Sequence, residues 1–383
     1  MKLLVFAHTP PPVHGQSLMV ETLVDGFARN PSLQILHVNP RLSRDSRDIG
    51  RWRPGKIFSL LRACAQAWRL RIVHGPAYFY YVPAPGKRSA LYRDFVVMLL
   101  CRPWFSGLIL HWHAAGLGAW LEHNANGFER WLAQRLLGRA TLSIVLGENL
   151  RDDAAVLNPR RISIVRNGIT DPNPHPVSRP ADSRTLREAI FLGLCSRDKG
   201  LFDAITAVQR ANTHARTHGH LPVRLTVAGD FPDAETEAAF KQAVSAGNVT
   251  AGGEGSINCD DSVRHIGFVR GADKAALLQN ADVLIFPTYY AHETQGLVIA
   301  EALAFDLPVI ATRWRAVHEG LPEEHVYLVD PESPDQIAAA LEAIRTAGSP
   351  NGTLRAYFLA HYTREHHLAA LAEQLARIRP ATS

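Results

Sequence analysis

The stretch Tyr289-Tyr290-Ala291-His292-Glu293-Thr294-Gln295-Gly296-Leu297-Val298-Ile299-Ala300-Glu301 carries two carboxylates eight positions apart. An apolar run, residues 281–287, leads into it, and helix-forming residues lead out. That order predicts a strand, a polar turn and a helix N-terminus, whose unpaired amides attract anions. A carboxylate repels a phosphate, so two of them beside such a seat imply a different task. They can accept hydrogen bonds from hydroxyls on either side of a diphosphate, Glu293 from the loop and Glu301 from about two turns into the helix. The bland alternative is a solvated helix start, where Glu is favoured for its charge alone. A second cluster offers positive charge. Gly193-Leu194-Cys195-Ser196-Arg197-Asp198-Lys199-Gly200 follows another apolar run. Lys199 can meet a diphosphate as a point charge, with Arg197 two residues before it; a solvated loop with two basic residues is the competing reading.

Two further constellations lie in the first half. In Pro10-Pro11-Pro12-Val13-His14-Gly15-Gln16-Ser17, Gly15 lets backbone approach a phosphate closely, although a tight strand-to-helix turn needs glycine as well. In His111-Trp112-His113 the two imidazoles share one side of a strand. They could begin a metal site, but no third ligand is identifiable and no Asp-x-Asp metal motif exists, so no metal is expected.

Strands are expected at residues 2–7, 34–38, 77–82, 107–113 and 142–146, with helices at 17–29, 57–71, 89–101 and 126–138. A segment dense in Pro, Asp and Ser, residues 171–184, reads as a linker. The alternation then restarts, with strands at 188–194, 224–229, 263–268, 283–287 and 308–312. Helices fall at 201–215, 234–246 and 274–279, and again at the glutamates. Alternating strands and helices imply two doubly wound parallel sheets, an α/β fold with domains at 1–170 and 185–363. Two such units facing each other would place a ligand between the carboxyl ends of both sheets. Gly252 to Ser256 reads as a flexible connection.

The chain has 383 residues, enough for both domains, and 46% of them are hydrophobic. A net charge of +5 fits anionic ligands or an anionic surface and is too small to argue for nucleic acid. The four cysteines, Cys64, Cys101, Cys195 and Cys259, form no CxxC pair, so a reduced, cytoplasmic setting is expected. No apolar run is long enough to span a membrane.

The glutamate pair with its flanking strands resembles the E-x7-E motif of glycosyltransferase family 4, retaining enzymes of the GT-B fold that use nucleotide-sugars. Asn167-Gly168, His265-Ile266-Gly267-Phe268-Val269 and Lys199-Gly200 match other motifs of that family in order. The resemblance covers nearly the whole chain and is strongest over 193–330. It implies that Glu293 holds a hexose, Glu301 the ribose hydroxyls, and Lys199 the diphosphate. Gly296 and the amides of Leu297 and Val298 would form the phosphate seat. The backbone at Phe268 and Val269 would face the nucleobase. The family commonly has Gly-Gly where this chain has Gly15-Gln16, and a histidine against the donor sugar where this chain has His113. Its usual arginine is replaced by Leu194, which leaves Arg197 as a substitute. The last helix, about residues 364–383, would return to the first domain. The implied reaction needs no cofactor. A hexose-type sugar passes from a UDP- or GDP-sugar to an acceptor hydroxyl, on a glycan or lipid-linked glycan of bacterial-type envelope polysaccharide or glycolipid synthesis.

Two other readings stay open: a nucleotide-sugar epimerase on the same fold, which turns over without an acceptor, and a non-catalytic binding protein that kept the fold. Residues 41–71 hold nine Lys/Arg and two Asp, interleaved with Trp52, Phe58, Leu60, Leu61 and Trp68. Residues 51–71 therefore read either as an anionic-membrane surface, with peripheral attachment at the inner face of the cell membrane, or as a basic solvated face over an ordinary core stripe.

Overall fold

The computed structural model describes residues 1–40, 54–176, 186–249 and 262–378, and for Pro54 and residues 246–249 the backbone alone. It divides into two compact units, Met1–Ile169 with Arg364–Ser383, and Thr170–Thr363.

The first unit contains strands β1 (Lys2–Phe6), β2 (Gln34–Val38), β3 (Tyr78–Tyr81), β4 (Leu108–His111), β5 (Leu142–Val145) and β6 (Ile162–Ile164). Its helices are α1 (Gly15–Gly26), α2 (Pro54–His74), α3 (Arg88–Cys101), α4 (Leu117–His123), α5 (Gly127–Leu136) and α6 (Arg151–Ala155). The strands pair in parallel in the order β2-β1-β3-β4-β5-β6. Leu3, Leu4 and Val5 are fully buried. A strand covered on both faces needs such a continuous apolar run. One face packs Leu3, Val5, Tyr80 and Ile109 against Leu23 of α1 and Leu371 of the chain's last helix. On the other face Tyr81 donates to the buried Asp94 carboxylate of α3 at 2.7 Å.

The second unit repeats the plan with β7 (Glu188–Leu192), β8 (Arg224–Ala228), β9 (Val263–His265), β10 (Val283–Phe286), β11 (Val309–Thr312) and β12 (Val326–Val329). Its helices are α7 (Leu201–Thr217), α8 (Ala234–Val249), α9 (Gly271–Asn280), α10 (Leu297–Ala304), α11 (Pro334–Thr346) and α12 (Thr353–His361); α13 (Arg364–Ala376) belongs to the first unit. The order is β12-β11-β10-β7-β8-β9, again all parallel. The direction of winding reverses between β1 and β3 in one sheet and between β7 and β10 in the other. In open parallel sheets such a switch point, beyond the carboxyl ends of the two strands, is where ligands bind.

Several expectations need correction. β9 stops at His265 where a strand to residue 268 was expected, because Gly267 turns the chain at φ +76°. Glu301 is the fifth residue of α10, just over one turn in and not two. α4, α6, β6, β12, α11 and α12 are additional elements. The linker expectation is only partly described: Asp171 is ion-paired to Arg355 inside the second unit, and residues 177–185 lie outside the described residues. So do residues 41–53, the 252–256 loop and Cys259. Cys64, Cys101 and Cys195 are buried free thiols. Among the described residues, no helix is long and apolar enough to cross a membrane.

Candidate active site

In the second unit, the loops after β7 and β10 meet at the switch point, and glycines allow it. After β7 the chain passes Gly193 at φ +149° and runs against Gly229 at the end of β8. A Cβ on Gly229 would lie 1.7 Å from the Gly193 carbonyl oxygen. The same loop ends at Gly200, φ +76°, where a Cβ would lie 2.2 Å from the carbonyl oxygen of Pro287. No other residue fits there, so the Lys-Gly loop lies directly against the end of β10. The Tyr289 amide donates to the Asp198 carbonyl at 2.8 Å and joins the loops again.

This closeness brings residues 94 positions apart into an ion pair. Lys199 Nζ holds Glu293 Oε2, with both side chains mostly buried. The ammonium also stands 4.6 Å from the centre of the Tyr290 ring, a cation–π contact. Glu293 Oε1 accepts from the Thr294 amide at 3.3 Å, and Trp314 Nε1 donates to the Tyr290 carbonyl at 2.9 Å. Gly296 then starts α10 at φ +73°, packed so closely on Phe286 that a Cβ would come within 2.7 Å of its ring. Leu297 and Val298 are the first residues of that helix, and Glu301 pairs from its second turn with Lys274 of α9. Arg197 points elsewhere: its guanidinium lies over the Phe202 ring, 4.7 Å from the centre. Leu194 is about half exposed, and Phe268 stands exposed on the loop after β9 beside Val269.

At the switch point of the first sheet the chemistry is imidazole. His14 caps α1: its Nδ1 accepts from the Ser17 amide at 3.4 Å, and Ser17 Oγ accepts from the His14 amide at 3.0 Å. Nδ1 is thus unprotonated, so the proton of the neutral ring sits on Nε2, 2.7 Å from His8 Nε2. Gly15 and Gln16 open the helix. His113, just past β4, lies tilted against His111 with ring centres 4.0 Å apart, and His111 is near-parallel to His367 of α13 at 6.4 Å. Tyr80 is hydrogen-bonded to His111 Nδ1, and the Arg166 carbonyl lies 2.7 Å from His367 Nδ1. Burial first, then the neighbouring His367 and His14, push the His113 imidazole down to about 3. Burial and then His8 push His14 down to about 4. Both are neutral near pH 7. Among the described residues, no group of three or more His, Cys, Asp or Glu is placed to hold a metal ion.

Residues 187–346 match the family model of glycosyl transferases group 1. That segment of the second unit is a group 1 glycosyltransferase domain. The chain is 25% identical over 195 residues to the phosphatidylinositol N-acetylglucosaminyltransferase gpi3 subunit of Schizosaccharomyces pombe (strain 972 / ATCC 24843). The match covers 50% of this chain and only 37% of that protein's length. Among solved structures, the Thermosynechococcus elongatus sucrose-phosphate synthase is 16% identical at TM-score 0.72, covering 100% of both chains. Anabaena HepE in complex with UDP is 17% identical at TM-score 0.67, covering 98% of this chain and 100% of that one. The trehalose-6-phosphate synthase OtsA is 13% identical at TM-score 0.71, covering 99% and 100%. The likeness to these structures shows the GT-B fold.

In the glycosyltransferase domain the structure assembles Lys199, Glu293, Gly296, Leu297, Val298 and Glu301 on two neighbouring loops and one helix. Arg197 sits on the same loop as Lys199, with its side chain on Phe202. Gly15, Gln16 and His113 belong to the other unit. Sequence reasoning missed Lys274, which lies 27 positions from Glu301 with no motif around it. It also missed Tyr290, although that residue stands within the glutamate motif. His8, His14 and His367 escaped because no spacing links them to His113.

Proposed function

We propose that the chain is a retaining glycosyltransferase that moves a hexose-type sugar from a UDP- or GDP-sugar to an acceptor hydroxyl without a metal ion. The observation that carries this reading is the Lys199–Glu293 pair at the switch point of the glycosyltransferase domain, with Glu301 eight positions on in α10. The chemistry needs positive charge where the leaving diphosphate gains negative charge, and hydroxyl acceptors on both sides of it. Lys199 and the first amides of α10 supply the charge. Glu293 accepts from the hexose hydroxyls and Glu301 from the ribose. The bond between the anomeric carbon and the phosphate oxygen breaks. The acceptor oxygen forms its bond on the same face, and its proton passes to the departing phosphate. The family resemblance gives His113, which is neutral near pH 7, a hydrogen bond to the donor sugar that adds no charge. The UDP bound in the HepE structure supports a nucleotide-sugar donor. Envelope polysaccharide or glycolipid synthesis, at the inner face of a membrane, is the setting in which we place the acceptor.

The test is a thermal-shift screen against UDP- and GDP-sugars, followed by turnover with and without glycan acceptors. A ligand at 100 times its Kd adds about 2.7 kcal/mol of stability. Transfer that needs an acceptor and keeps the anomeric configuration is the expected result. Turnover of the nucleotide-sugar alone into an isomer would assign an epimerase instead. Tight binding with neither transfer nor hydrolysis would favour a non-catalytic protein, a reading to which Leu194 in the arginine position lends weight.

A further inference from the structure

The proposed function makes no use of the outward surface of α2, α3 and α5 in the first unit. These helices cover one face of the first sheet and are tied to each other. The Trp68 indole donates to the Leu100 carbonyl at 2.8 Å, and Arg71 Nε to the Trp104 carbonyl at 2.7 Å. Arg88 and Tyr92 of α3 both donate to Glu129 of α5. The three helices therefore present one continuous flank.

That flank is apolar where solvent should make it polar. On α3 the exposed positions Tyr92, Val96 and Leu99 recur at helical spacing, with Leu99 65% exposed, and Trp104 extends the row just past the helix end. On α2, Phe58 and Ile72 stand 71% and 74% exposed, and Arg62 and Arg69 lie between them on the same stripe. On α5, Phe128 and Trp131 stack on each other, ring centres 5.9 Å apart, and both are well exposed. Single exposed apolar residues are ordinary on a protein surface, but rows on three linked helices are not.

The charge on this flank has one sign. From Pro54 to Trp104 the only acid is Asp94, and in α5 the only acid is Glu129. Both are fully buried, Asp94 on Tyr81 and Arg93, Glu129 on Arg88 and Tyr92. The same elements carry Arg62, Arg69, Arg71, Arg102, Arg130 and Arg135. A shallow face of aromatic and aliphatic side chains studded with arginine, and with no exposed acid, matches the boundary between head groups and acyl chains of an anionic bilayer. The apolar tips enter the acyl region, and the guanidinium groups lie along it and reach the phosphates.

We propose that the α2–α3–α5 flank docks the chain on an anionic lipid bilayer. This surface reaches beyond residues 51–71 and does not depend on residues 41–53.

Sedimentation of the full chain with vesicles tests it, and no donor is needed, so the result stands apart from the proposed function. Phosphatidylcholine vesicles with and without phosphatidylglycerol serve as probes. Binding is expected only to the mixed vesicles, weakening as salt is raised. Arg62→Glu with Arg69→Glu should weaken it at least about twentyfold, since each basic residue near such a surface contributes about fivefold. Leu99→Ser with Trp131→Ser should also lower binding, with unchanged thermal melting as the folding control. Bromine-labelled acyl chains should quench tryptophan fluorescence of the wild type and quench the Trp131→Ser variant less. Equal affinity for neutral and mixed vesicles, or unchanged binding in both double variants, would overturn the proposal. So would light scattering that shows a dimer dissolved by the same substitutions, which would give this flank to a second copy.

Discussion

At the carboxyl edge of the second sheet the side chains are charged and paired, Lys199 with Glu293 and Lys274 with Glu301. At the corresponding edge of the first sheet they are imidazoles, with His14 and His113 held neutral. The scaffolds are alike, six parallel strands with one reversal of winding each. The difference lies in what their loops deliver. An ion pair can exchange partners, so the second edge suits a ligand that brings its own charge. Crowded buried imidazoles cannot all ionise, so the first edge offers directional hydrogen bonds without charge. Under the proposed function, an anionic donor has use for the charged edge.

The strongest way to break this comparison is at Lys199. Lys199→Ala should lower transfer about a hundredfold or more, in line with the loss of one group that stabilises developing negative charge. Steady-state kinetics at saturating donor measures it, and near-normal turnover would remove Lys199 from the mechanism. The carboxylates come next. Glu301→Ala should weaken donor binding and Glu293→Ala should chiefly reduce turnover, each about ten- to a hundredfold. A hydrogen bond to a charged group contributes about 1.5–3 kcal/mol. Wild-type kinetics in both would show that the pair is no site.

The histidine edge makes a prediction about stability. In the unfolded chain His14 and His113 take up protons as pH falls through their ordinary 6.5, while in the fold they resist until about 4 and about 3. The unfolded state therefore binds more protons in this window. Their contribution is fully present above pH 6.5 and declines as the pH drops toward 4. Denaturant unfolding across that range should show the decline. His14→Asn, which keeps a helix cap, should flatten it; an unchanged slope would mean that these rings do not control acid stability.

The smallest effects sharpen the contrast. Arg197→Ala should cost only a few-fold in activity, because its guanidinium is spent on Phe202. A larger loss there than at Lys199 would show that Arg197 does the work of the arginine that Leu194 displaced. A chelator should leave turnover unchanged, and activity lost to EDTA and restored by Mg²⁺ or Mn²⁺ would contradict the charge assignment.

The charged edge was the more legible from sequence because its parts are local. Glu293, Gly296 and Glu301 fall within one strand-loop-helix unit, and Lys199-Gly200 ends another strand. The histidine edge draws on segments near residues 8, 14, 113 and 367, and only folding brings them together. The missed helices have a similar cause. α4 begins at Gly116 with no local cap; its amides are satisfied by Asp153, at 2.8 Å to Gly116 N and 3.1 Å to Ala119 N. α12 begins at Gly352, and the distant Asp306 caps it at 2.8 Å. A helix whose cap lies 37 or 46 residues away gives no start signal of its own. β6 is a three-residue edge strand, too short for an alternation to stand out.

The resting contact between Lys199 and Glu293 carries a consequence for the order of events. Under the proposed function, a complete nucleotide-sugar gives each ion a new partner, phosphate for the lysine and a hexose hydroxyl for the carboxylate. A spent nucleoside diphosphate offers phosphate alone. It draws the lysine away and leaves the mostly buried carboxylate stranded. The pair therefore favours fresh donor over used product at the same seat, and its re-formation helps to expel the nucleotide once the sugar has gone.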